Sequence, residues 1–191
     1  MSLTLYNTAQ GIFLRPLRME DAQVLLDLRC ANKDFLAPFE PLREESFFTL
    51  EGQQQFLLQR IHNEEAGGGY QFGIFVVEDE RLIGTIAISN IVRGVAQYAD
   101  VGYMMDQSEQ GKGHMTAAVK MIIQYSFKAL GLHRLQAATL LHNKGSQKVL
   151  KKAGFQEEGI ARRMLRIHGE WQDHRRYGIL AEDLMEEAYT T

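Results

Sequence analysis

The sequence predicts an α/β fold: one mixed, mostly antiparallel sheet with about four flanking helices and a C-terminal β-hairpin. Three observations predict it. Runs rich in Ile, Val, Phe and Tyr alternate with segments whose apolar residues recur at helical spacing, in the order β-α-α-β-β-β-α-β-α-β-β. Three such runs follow one another with only short turn-like breaks, as antiparallel neighbours do. A glycine loop, Gln110-Gly111-Lys112-Gly113-His114-Met115, then separates a strand-like run from a long apolar-periodic segment.

Ile12 to Pro16 reads as a first strand, ended by proline. Met19 to Asn32 reads as a helix with Ala22, Leu25, Leu26 and Arg29 along one side. Lys33 to Ser46 holds two of the three prolines and reads as a loop. A second helix runs from about Thr49 to Glu65, with Phe56, Leu57, Arg60 and Ile61 periodic, and Ala66-Gly-Gly-Gly69 ends it. Tyr70–Glu78, Leu82–Ile91 and Ala96–Met104 read as strands, with turns at Asp79-Glu80 and Val92-Arg-Gly94. Thr116 to Leu130 is a third helix stopped by Gly131, with Val119, Met121 and Ile122 as core residues. Arg134–Thr139 is a strand and Lys144–Ala153 a fourth helix. Glu157–Ile167 and Trp171–Leu180 form a hairpin about His168-Gly169.

A chain of 191 residues buries one good core, so a single domain over 1–191, with its core at about 11–182, is expected. The net charge of −3 offers no general attraction to nucleic acid or to an anionic membrane. One cysteine, Cys30, excludes an internal disulfide and fits a reducing compartment. No apolar run approaches the ~20 residues that span a bilayer, and no export signal is read. A cytoplasmic protein is expected.

The glycine loop has two readings. It is an ordinary glycine-rich turn, or a phosphate cradle in which free N–H groups meet the positive end of a helix dipole. It is neither a Walker loop, lacking the Lys-Ser/Thr pair, nor a dinucleotide fingerprint, lacking the third glycine. The segment Asn143-Lys-Gly-Ser146…Gly154-Phe155 likewise delimits a helix or, beyond that, presents Asn143 and Ser146 to one cleft. The six histidines (62, 114, 133, 142, 168, 174) show no ligand spacing, so no metal is expected. Cys30 has no obvious base beside it, which argues against an acyl-cysteine route. Trp171 reads as a hairpin anchor. Phe35, Phe39 and Phe47 either wall a groove or cap the core.

Together the two motifs resemble the GNAT superfamily of N-acetyltransferases, whose signature is Arg/Gln-x-x-Gly-x-Gly/Ala. The second half, Asn143-x-x-Ser146…Gly154-Phe155, then Glu158-Gly159 and Gly169-Glu-Trp171-Gln-Asp173-His174, resembles the RimJ/RimL branch, which acetylates N-terminal amines of ribosomal proteins. The similarity runs from Phe13-Leu-Arg-Pro-Leu to Leu180, and Met115 departs from the Gly/Ala of the signature.

The resemblance implies a sheet splayed at its centre and acetyl-coenzyme A as cosubstrate. Amides from Gly111 through Lys112, Gly113, His114 and Met115 to Thr116 would bind the pyrophosphate, with Gln110 opening the loop. Tyr103, Met104 and Met105 would pair with the pantetheine arm, an N–H near Met104–Met105 would polarise the acetyl carbonyl, and Asn143 would hydrogen-bond the pantetheine. Ser146 would return a proton to the leaving thiolate, with Tyr177 as the other candidate acid. A base is needed to free the attacking amine: Asp100 is the candidate, ahead of Glu158 and of Asp173, whose other reading is as an anchor of the last hairpin. Direct attack in a ternary complex is implied. The acceptor is a protein N-terminus of ribosomal type; the alternatives are a small amine (polyamine, amino acid or antibiotic) or a non-catalytic acyl-coenzyme A-binding module. No direct nucleic acid or membrane partner is expected, and the protein is a monomer or homodimer.

Overall fold

The computed structural model describes residues 3–184. Its strands are β1 (Leu5–Asn7), β2 (Ile12–Pro16), β3 (Tyr70–Val76), β4 (Leu82–Val92), β5 (Tyr98–Met105), β6 (Arg134–Leu140), β7 (Gln156–Ile167) and β8 (Glu170–Leu180). They form one sheet in the order β1-β2-β3-β4-β5-β6-β8-β7. All neighbours are antiparallel except β5 and β6. The mixed, mostly antiparallel α/β sheet is as the sequence predicts.

Among the described residues the helices are α1 (Ala22–Ala31), α2 (Lys33–Leu36), α3 (Leu50–Glu65), α4 (His114–Lys128) and α5 (Lys144–Lys152). Period-2 alternation along the strands divides the core between two faces. Leu25 and Leu28 of α1, Leu36 of α2 and Leu57 of α3 pack with Phe13, Phe75, Leu82 and Met104 on one face. Ala118, Val119, Ile122 and Ile123 of α4 and Leu150 of α5 pack with Ile12, Ile74, Ile86, Val101 and Met105 on the other. Adjacent residues Met104 and Met105 thus serve opposite layers.

Local chemistry sets several ends. Thr49 Oγ1 accepts from Gly52 N at 3.1 Å and starts α3. Asp21, buried ahead of α1, accepts from both Arg15 guanidinium nitrogens at 2.7 Å and from Arg18 N at 2.8 Å. Val119 and Ile122 are core residues as expected, with Met121 partly buried against them.

The structure corrects the sequence reading in places. β1 was not anticipated: three residues are too few to show a period. The segment read as a loop over 33–46 contains α2 and two 3-10 turns, Ala37–Phe39 and Glu45–Phe48. Leu28, rather than Leu26, lies on the buried side of α1. The β4–β5 connection falls later, with β5 starting at Tyr98, because Gln97 turns its carbonyl to accept from His133 N and Arg134 N.

What positions the site is the short parallel ladder. β5 and β6 pair only at Tyr98–Arg134, Ala99–Leu135 and Asp100–Gln136, and then diverge. Beyond Asp100, β5 stays paired with β4 as far as Met105, and β6 stays paired with β8 as far as Leu140. The sheet is therefore open at its middle.

Candidate active site

A cleft of about 570 Å³ lies at this opening, between the end of β5, the loop into α4 and the start of α5. Asp106 N donates to Ile83 O of β4 at 2.8 Å. Backbone groups alternate sides along a strand, so Met105 and Tyr103 turn their N–H and C=O groups away from β4 and into the gap. An extended polar chain lying there would meet an unpaired strand edge.

At the cleft's second wall, α4 starts at His114, two residues earlier than the periodicity predicts, with Gly113 at the N-cap in the left-handed region at φ 90°. Met115 explains the difference, because its side chain is buried in the α4 layer as the first apolar contact of the helix. Ala117 N makes the first bond back into the turn, to Gly113 O. The N–H groups of residues 111 to 116 donate to no described residue. Gly111 also has φ 78°, and a Cβ there would meet nothing within 4 Å. Six free donors at a helix's positive end fit a diphosphate.

Lys112 does not line the cleft. Its ammonium sits 2.9 Å from Glu109 Oε2, while Arg81 Nη2 lies 3.1 Å from Oε1. Glu109 is almost fully buried beneath the loop, and its pKa is lowered chiefly by the hydrogen bond from Lys112, with Arg81 helping against desolvation. This carboxylate is a brace for the loop.

The third wall is α5. Asn143 Oδ1 accepts from Ser146 N at 3.0 Å, and its backbone C=O accepts from Gln147 N; Nδ2 has no partner among the described residues. Ser146 Oγ lies 2.9 Å from the Tyr103 hydroxyl. Burial pushes the Tyr103 phenol above its ordinary value, the hydrogen bond to Ser146 opposes this and Tyr177 adds to it. Tyr103 thus stays protonated at any physiological pH.

The cleft is lined by Tyr103, Met104, Met105, Gln110, Gly111, Gly113, His114, Met115, Thr116, Asn143 and Ser146, all anticipated from sequence. Two anticipated catalytic residues lie elsewhere. Asp100 is half-buried in the last β5–β6 pair at the apex of the gap, and its Oδ2 accepts from Asn90 Nδ2 at 2.7 Å. Tyr177 is fully buried in the α4-side core, with no hydrogen-bond partner for its hydroxyl among the described residues; desolvation raises its pKa. Of the lesser candidates, Glu158 is held deprotonated by Arg134, and Asp173 accepts from Arg163 N within the β7–β8 hairpin. Trp171 stands 61% exposed beside that hairpin's turn, so it does not anchor the turn into the core.

Phe35 and Phe39 wall the cleft, whereas Phe47 packs edge-on against Phe48 and Phe56 outside it. Sequence reasoning missed His142, Lys144, Lys148 and Lys152 as lining residues. The lysines' i, i+4, i+8 spacing puts them on one face of α5 and was readable in advance.

Residues 12–156 match the acetyltransferase (GNAT) domain family. The chain is 42% identical over 172 residues to a probable N-acetyltransferase, YjcK, of Bacillus subtilis, covering 90% of this chain and 95% of the relative. A crystal structure of a ribosomal-protein-S5-alanine acetyltransferase from Vibrio fischeri superposes with TM-score 0.88 at 35% identity, covering 95% of this chain and 98% of the other. Mycobacterium smegmatis RimJ, in complex with CoA-disulfide, superposes with TM-score 0.87 at 32% identity, covering 92% and 85%. The open sheet, the free amides and these matches together identify the chain as an N-acetyltransferase of the GNAT family, whose enzymes use acetyl-coenzyme A.

Proposed function

We propose that this enzyme moves an acetyl group from acetyl-coenzyme A to the N-terminal α-amino group of a protein, by direct attack in a ternary complex. The observation that carries the reading is the gap between β5 and β6, edged by Met105 N–H and closed at one side by Ser146 and Tyr103. The similarity to an S5-alanine acetyltransferase supports a protein N-terminus, of ribosomal type, as acceptor.

Acetyl-coenzyme A, when bound, supplies the acetyl thioester. Amides 111–116 hold its diphosphate, with Gln110 opening the loop and Lys144, Lys148 and Lys152 supplying countercharge from across the cleft. Tyr103 and Met105 offer their backbone edge to the pantetheine arm, whereas the backbone of Met104 is paired with Thr85 of β4; Asn143 Nδ2 donates to the arm. Met105 N–H, turned into the gap, would serve as an oxyanion donor to the acetyl carbonyl. Ser146 Oγ, oriented by its hydrogen bond to the Tyr103 hydroxyl, gives a proton to the departing thiolate and takes one back from water; Tyr177 would first have to leave the core to compete. An α-amino group, with a pKa of ~7.7–8.0 against ~10.4 for lysine, is substantially a free base near neutrality. Asp100 at the apex is therefore asked only to take a proton through water.

A thermal shift with acetyl-coenzyme A, followed by thiol release with a panel of N-terminal peptides and small amines, tests this. Stabilisation and turnover with peptides are expected. Turnover with polyamines or free amino acids alone rejects the protein acceptor, and stabilisation without any turnover favours an acyl-coenzyme A-binding module.

A further inference from the structure

Next to the main cleft, and sharing Leu36 with it, lies a second pocket of about 140 Å³ between α1, the 37–43 segment and the β7–β8 turn. Its lining is unusual in charge. Arg29 is only 6% exposed, donates from Nη1 to Glu40 Oε1 at 2.6 Å, and has an Nε with no hydrogen-bond partner among the described residues. Its guanidinium carbon lies 5.5 Å from the centroid of Phe47, and that of Arg43 lies 4.5 Å from the same ring. Lys33 also lines the pocket, its ammonium 3.0 Å from Glu45 at the rim. Arg60 stacks on Phe56, which meets Phe47 edge-on.

Four cations thus gather about two carboxylates, Glu40 and Glu45. Arg43 is exposed on its outer side, but the aromatic surface strips water from the other. Its pKa is lowered first by that desolvation and then, against the help of Glu40, by the charges of Arg29 and Arg60. Two of the four positive charges are left without a carboxylate of their own beside an apolar ring, an arrangement that favours a further anion.

The position of the pocket suggests which anion. Phe35, Leu36 and Phe39 form a wall of the main cleft, and the Phe39 ring centroid lies 5.8 Å from that of His142. The same segment continues into Glu40, whose carbonyl accepts from His168 N at 2.9 Å, tying it to the hairpin tip. A peptide with its amine at the gap would leave along this wall and pass the arginines. We infer that the Arg29–Arg43 pocket receives a carboxylate side chain of the acceptor peptide, so that N-termini with an acidic residue close behind the amine are preferred. This deepens the protein-acceptor reading and rests on it.

The test is a peptide series in which one Glu is moved from the second to the sixth residue, each compared with its Gln counterpart, in thiol-release assays. At the matching position the wild type should favour Glu by roughly tenfold in kcat/KM, as a charge-assisted pair warrants. That ratio should fall close to one in Arg43→Gln, with turnover of the Gln peptides unchanged, and should shrink as salt is raised. Ratios within twofold at every position, or a preference surviving in both Arg43→Gln and Arg29→Gln, overturn the inference. Free glutamate and aspartate as acceptors separate an amino-acid carboxylate from a peptide's. If no peptide is turned over, the acceptor reading itself fails. Calorimetric binding of N-acetylated Glu and Gln peptides to the coenzyme A-saturated protein then decides for the pocket: tighter Glu binding that Arg43→Gln abolishes supports it, and equal affinities refute it.

Discussion

The Tyr103 hydroxyl and Ser146 Oγ, 2.9 Å apart, join β5 to the first turn of α5 across the open end of the sheet. The bond fixes the serine rotamer toward the gap. Ser146→Ala should therefore lower kcat by a factor of about a hundred or more, with KM for acetyl-coenzyme A little changed. Tyr103→Phe keeps the ring and removes the proton, and should give a smaller loss. Steady-state thiol release reads both, and an unchanged kcat in Ser146→Ala would move the acid role to water.

Gly113 caps α4 with φ 90°, and a Cβ there would lie 3.1 Å from Gln10 Oε1. Gly113→Ala should cost about 1–3 kcal/mol from backbone strain and weaken coenzyme A binding modestly. Gly113→Asp adds a negative charge against the diphosphate and should abolish binding by calorimetry. Normal binding by the aspartate variant would mean that the loop does not hold phosphate.

Lys148 and Lys152 are exposed on α5, facing the cleft. Their joint replacement by alanine should raise the coenzyme A Kd several-fold at low salt, with little effect at ~1 M, where the Debye length is about 3 Å. Because neither reaches the reacting atoms, kcat at saturation should hold. Fluorescence titration at two ionic strengths checks it.

Glu109 braces the loop from below through Lys112 and Arg81, which hold its carboxyl under the usual carboxylate range. Its folded-state pKa is depressed, so its contribution to stability is complete above the unfolded value of ~4.3 and is lost as pH falls through the lower folded value. Glu109→Gln should destabilise the protein by about 1–3 kcal/mol at pH 7, and the gap to wild type should close in acid. Urea melts between neutral pH and pH 3 would show it; a constant difference would contradict the brace.

Much of the fold was legible because long strands and helices carry their own period. The runs in β3, β4 and β8 and the stripe Ala118, Ile122, Tyr125 on α4 declare themselves in a single window of sequence. The three residues of β1 and the one turn of α2 do not, since neither completes a repeat. The glycine loop and the Asn143–Ser146 cap were readable as local chemistry, and both line the cleft. Contacts between distant residues were not: nothing in the chain ties Tyr103 to a serine 43 positions on, or Arg81 to a buried Glu109 28 positions on. Asp100 and Tyr177 show the limit from another side. Alternation tells that neighbours on a strand face opposite ways, but not that Asp100 ends the parallel ladder or that Tyr177 turns into the core.

That ladder of three residue pairs has a mechanical corollary. Ordinary sheets leave backbone groups unmet only at their outer rims; this one has a seam through its interior, where β5 and β6 each show a bare margin. Whatever slots into the seam behaves as a missing strand and staples two half-sheets into one. Hydrogen exchange should accordingly report the ligand most strongly at Tyr103 and Met105, as amides that were shielded by nothing become rungs.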